Sequence, residues 1–284
     1  MTIALGAHCY IFTDRWDDAS LPILQRLKNL GGSVLEIAVG DDVVFCPTTT
    51  ARAARDLEMH LIVSPGGAWP LECDIASDDE SHREQGILWH RRQIELAARL
   101  GAIAYTGALY GHTGVVLRRR PPPAEKERVA DGLRNLAEFA TERNVLLAIE
   151  PMSHFRTHLI NTPAQAIALL DQVGHPNVRI LFDTYHCLTE VRNYRETICE
   201  LGKNLWGVHA CENDRGTPGG GLMPWDQIAE GLREIQFAGP VMLEAYNSSL
   251  GDFAFERGMF HDVCPDPDRF VSEGFQFLRE ILPG

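Results

Sequence analysis

Short apolar runs alternate with amphipathic stretches eight times along this 284-residue chain, and that rhythm restricts the fold more than any other feature. The runs at residues 3–9, 34–39, 61–64, 103–106, 146–149, 179–182, 205–208 and 241–243 have the length of buried strands. The stretches near 20–30, 48–59, 80–100, 124–143, 163–173, 194–201, 225–235 and 267–282 carry the i, i+3, i+4 spacing of helices. Ser20 is the expected N-cap of the first helix, with Gly31 and Gly32 stopping it, and Thr162 caps the fifth with Pro163 at its first position. A strand followed by a long helix and another strand is the signature of parallel pairing, because a parallel neighbour needs a crossover. Eight such units predict an α/β fold, a single-domain (β/α)8 barrel over residues 1–284. A doubly wound open sheet is the lesser alternative: no GxGxxG follows a strand, and Gly219, Gly220 and Gly221 sit in a polar loop.

Composition narrows the functional classes. An apolar fraction of 45% and a charged fraction of 23% suit a buried core. The formal net charge of −13 argues against a nucleic-acid partner, which would need a concentrated basic face. The one basic run, Arg118 to Arg120, leads into three prolines and reads as a solvated loop. No apolar run reaches membrane-spanning length and the first residues lack a basic leader, so a cytoplasmic protein is expected. Seven cysteines without CxxC spacing point to reduced thiols rather than disulfides or a thiolate metal site.

Four of the later runs share a design. LLAIE ends on Glu150, ILFD on Asp183, LWGVH on His209 and VMLE on Glu244. In a parallel barrel the four would converge at the C-terminal ends of consecutive strands, where barrel active sites lie. Three carboxylates and an imidazole in one desolvated place repel unless a cation compensates them. Mixed oxygen and nitrogen ligation suits Mn²⁺, Mg²⁺ or Co²⁺, with Zn²⁺ a further alternative. His186, three residues past Asp183, and Arg215, six past His209, are candidates for binding substrate oxygens. Trp16, Trp69, Tyr110 and His112 fall in the loops after the first, third and fourth strands and are candidates for the wall of a sugar-sized pocket.

These segments carry a resemblance. DIASDDESHREQGI (74–87), GALYG (107–111), the IEP of the fifth strand, FDTYH (182–186), HACENDRGTPGGGLMPW (209–225) and MLEAYN (242–247) are similar to the sugar phosphate isomerase/epimerase superfamily of xylose isomerase-like barrels, and within it to the D-tagatose 3-epimerase (ketose 3-epimerase) branch. The resemblance implies metal ligands at Glu150, Asp183, His209 and Glu244, with Mn²⁺ first among the ions. It implies Glu150 and Glu244 as the acid and base that invert the carbon next to a ketose carbonyl through an enediolate, and His186 and Arg215 as substrate contacts. It also implies a homodimer or homotetramer, for which the segment 253–266 is a candidate contact or pocket cap. One position departs from the pattern: six residues past the first glutamate the branch carries an acid, and this chain has Arg156. A cation there suits a carboxylate or another oxygen-rich group on the substrate. The alternatives are a metal-dependent lyase or dehydratase acting on a keto-inositol or 3-keto-glycoside and, further off, an endonuclease IV-like phosphodiesterase.

Overall fold

The computed structural model describes residues 3–282. Eight strands, β1 Ala4–His8, β2 Val34–Val39, β3 His60–Pro65, β4 Ala104–Gly107, β5 Leu146–Ile149, β6 Val178–Asp183, β7 Leu205–Ala210 and β8 Pro240–Leu243, pair in chain order and close into a barrel. Every pairing is parallel, and closure is made by β1 against β8, with Ala4 opposite Pro240 and Ala7 opposite Leu243. The expected (β/α)8 barrel is therefore the fold. Crossovers are made by α1 Pro22–Asn29, α2 Pro47–Asp56, α3 Glu80–Leu100, α4 Pro123–Thr141, α5 Pro163–Val173, α7 Tyr194–Leu201 and α8 Trp225–Glu234. The chain ends on α10 Pro267–Ile281. Two four-residue helices that periodicity cannot reveal, α6 Thr184–Cys187 and α9 Phe253–Glu256, follow β6 and β8. Among the described residues no helix is long and apolar enough to cross a membrane.

Local chemistry explains where the elements start and stop. Thr162 and Gln165 form a reciprocal capping box around Pro163, and Gly174 ends α5 at φ +63. Asp79 caps α3, and Gly101 ends it at φ +65. At α1 the expected cap is displaced. Asp17 caps a 3-10 turn, Asp18–Ser20, with Ser20 at the third position of its capping box, and α1 begins at Pro22 with no side-chain cap. Proline at N1 needs no N–H partner, so the cap moves to the turn before it.

Strand alternation positions the site. Val34, Ile62, Ala148, Leu181 and Met242 form a separate apolar cluster that fills the barrel interior. Two residues further along each strand a side chain points the same way, and those positions hold Glu36, Ser64, Glu150, Asp183 and Glu244. The apolar layer is thus the floor of a polar one. Outside the barrel a larger apolar core packs the strands against the helices.

Candidate active site

Glu150, Asp183, His209 and Glu244 are all buried, and each offers a ligand atom within 4.8 Å of the others. The Nδ1 atom of His209 lies 2.8 Å from Glu244, 3.4 Å from Glu150 and 3.8 Å from Asp183. Its Nε2 lies 2.7 Å from Glu36. Glu36 is fully buried and accepts on its other oxygen from the Thr106 hydroxyl at 2.9 Å. A carboxylate at Nε2 holds a proton on that nitrogen and leaves Nδ1 to face the three acids. Glu36 was not among the candidates read from the sequence. Its signal was present: VLEIAV carries one charge in a run buried at every position.

The electrostatics fit a cation. Burial pushes the Glu150 carboxyl up to about 8, with Asp183 and Glu244 adding to it and His209 opposing. Burial also works against charge on Glu244, but Arg215 and His209 outweigh it and hold that carboxyl well below the usual range. His209 is raised well above its ordinary value, because Glu36 and Glu244 overcome its desolvation. A set in which one acid resists ionisation while an imidazolium is recruited to neutralise the others is short of positive charge, and its oxygen and nitrogen donors suit a divalent ion.

Arg215 is almost completely buried and donates from Nη1 to Asp183 at 2.6 Å and Glu244 at 3.1 Å. Its Nη2 lies 3.2 Å from His186 Nε2, and the guanidinium sits over the Tyr185 ring at 4.4 Å. The loop that carries it is clamped by Glu212, which accepts from the Gly219 and Met223 amides and from the Trp225 indole. This clamp accounts for the spacing from residue 209 to 225: the acid, the glycine turn and the tryptophan form one ring of contacts. His186 Nδ1 and Arg215 Nε are buried without a hydrogen-bond partner, as donors awaiting a ligand would be. Burial lowers His186 to about 4, so its ring is neutral near pH 7.

Two adjoining cavities, about 200 Å³ and about 250 Å³, open onto this cluster. Glu150, Met152, Arg156, Glu244, Tyr246 and Arg257 line both. Trp69 and His112 line the first, and His186 and Arg215 the second. His112 is fixed by the carbonyls of Thr113 and Trp69, and Trp69 stacks on Trp89 at 5.0 Å. The other two aromatic candidates are placed elsewhere. Trp16 is fully buried with its indole near the Thr50 hydroxyl, and Tyr110, also fully buried, donates to the carbonyls of Glu150 and Ile160. Both fill the core, and Tyr110 holds the Glu150 backbone from behind. From the segment 253–266, Arg257, Gly258 and Met259 reach the cavity wall.

Fold and site together define a barrel with a buried carboxylate-imidazole cluster at the C-terminal ends of its strands, ready for a divalent ion. The chain belongs to the xylose isomerase-like TIM barrel family, whose model matches residues 24–281. It is 25% identical to a D-psicose 3-epimerase of Agrobacterium fabrum, with 98% of this chain and 99% of the relative covered. A ketose 3-epimerase of Arthrobacter globiformis is 25% identical, with coverage of 98% and 96%. Among solved structures, a D-allulose 3-epimerase of Methylomonas sp. in complex with D-allulose matches with a TM-score of 0.92 at 20% identity, covering 99% of this chain and 97% of that one.

Proposed function

We propose that the chain is a metal-dependent carbohydrate epimerase of the isomerase class, inverting the carbon beside the carbonyl of a ketose or ketose derivative. The observation that carries this is the placement of Glu150 and Glu244. They directly follow β5 and β8, on different sides of the barrel ring, line the same two cavities and share one ligand set. The 3-epimerases related to it over nearly their whole length support the reaction class.

Glu150, Asp183, His209 and Glu244 would hold the ion, with Mn²⁺ the first choice. A divalent ion supplies Lewis-acid polarisation of the ketone, which acidifies the neighbouring C–H. The residues do the rest. One glutamate takes the proton from one face of the substrate carbon, and the other returns a proton from the opposite face, inverting the centre. Arg215, held by Asp183 and Glu244, and His186, neutral and with a free ring nitrogen, bind substrate oxygens and fix which carbon lies between the two acids. Trp69 and His112 wall the sugar from the other side.

Glu150→Gln and Glu244→Gln should each lower kcat for ketose epimerisation by about 10³-fold, with circular dichroism still reporting a folded barrel. Near-normal turnover by either variant would remove that residue from the acid–base pair.

A further inference from the structure

We infer that the substrate carries an anionic group, a carboxylate or phosphate on a terminal carbon, bound by Arg156 and Arg257. The inference rests on the epimerase reading only for the sugar backbone of the ligand. Both side chains line both cavities together with Glu150 and Glu244. Both are free of carboxylates: among the described residues neither forms an ion pair, whereas Arg215 in the same site is bound to two.

The two are held differently, Arg156 through its backbone alone and Arg257 through its side chain. Arg156 sits in a loop whose backbone is pinned, its amide donating to Ser153 at 2.8 Å and its carbonyl accepting from Gly114 at 2.9 Å. Its side chain is exposed and makes no hydrogen bond among the described residues. Arg257 is fixed at one nitrogen: Nη2 donates to the Tyr10 hydroxyl at 2.9 Å and the Gly66 carbonyl at 2.8 Å. Its guanidinium lies over the Tyr10 ring at 4.7 Å and the Phe253 ring at 5.5 Å. Among the described residues the N–H groups on Nε and Nη1 have no acceptor. With Nη2 engaged, Nε and Nη1 are left to donate separately to anionic oxygens, and the charge of the guanidinium is left without a carboxylate. Preorganisation by stacking lowers the ordering cost of that contact.

The test compares ligands that differ only in terminal charge. On Mn²⁺-loaded protein, calorimetry with a hexitol, the corresponding hexonate and a hexitol phosphate reads binding without turnover. Epimerisation of a ketohexose is then compared with its 1- and 6-phosphates and with its C1 and C6 carboxylic acids. At least one anion is expected to bind, and to be turned over by kcat/KM, about tenfold or more better than its neutral parent. Which arm wins distinguishes carboxylate from phosphate. In Arg156→Gln and in Arg257→Gln that ratio should fall about tenfold, while Arg156→Lys, which keeps the charge, retains most of it. No preference for any anion, or a preference untouched by both glutamine variants, overturns the inference. Anion preference in binding with no turnover of any ketose would leave the inference standing and remove the epimerase reading.

Discussion

At the scale of single residues the metal-ready set divides into what a strand end announces and what it hides. Glu150, Asp183, His209 and Glu244 each close a short apolar run, so the change from apolar to ionisable marks them in the bare sequence. Glu36 lies inside its run, flanked on both sides by buried aliphatic residues, and reads there as an anomaly without an address. Only the closed ring brings it to His209, 173 positions away, at 2.7 Å. Its role is to orient: replacing such a partner typically costs about 10–100-fold in metal affinity. Glu36→Gln keeps the shape and removes the charge, so a calorimetric Mn²⁺ titration should show affinity reduced by about tenfold or more. Unchanged affinity would mean that Glu36 fills space without fixing the imidazole. Arg257 was hidden for another reason. It follows a four-residue helix in a loop with no period to read, and it reaches the cavity through its stack on Tyr10 from β1's end. Arg156, by contrast, was visible as a cation six residues past Glu150.

Elements were the most legible level, because each is set by local signals. The capping box at Thr162 and the left-handed glycines at 101 and 174 sit where composition puts them. Loops were less legible. The segment from 65 to 79 is braced internally by the Trp69 indole bond to the Cys73 carbonyl and packs back over α3 through the Trp69–Trp89 stack, a contact between elements that no local pattern announces. Gly86 is where that loop meets its helix. Inside a free helix a glycine-to-alanine change gains about 1 kcal/mol. Here an added Cβ would lie 2.8 Å from the Ile75 nitrogen and 2.9 Å from Asp74 backbone atoms. Gly86→Ala is therefore expected to destabilise by about 1–3 kcal/mol, read as a lower denaturant midpoint at unchanged slope. A gain in stability would show that the loop yields freely and is not seated on α3. Because Trp69 also accepts from His112 across the pocket wall, movement of this loop should raise KM as well.

At the scale of the whole molecule, closure turns four separated chain segments into one site. Parallel pairing sends every strand end to one rim, and alternation places a polar layer two residues above an apolar floor. Barrel and metal-ready cluster were readable together because the same periodicity specifies both. The substrate was not, because much of the cavity wall beyond the cluster comes from loops, among them those after β5 and β8. The central claim is that two glutamates on different strands exchange one carbon-bound proton, and it is tested most directly by NMR of the Mn²⁺-loaded protein with ketoses in D2O. The expected result is growth of the epimer at the carbon next to the carbonyl, carrying solvent deuterium at that carbon, with epimer formation lost in both Glu150→Gln and Glu244→Gln. Absence of exchange and of epimer with neutral and terminally anionic ketoses alike, in protein shown to bind the ion, would contradict it.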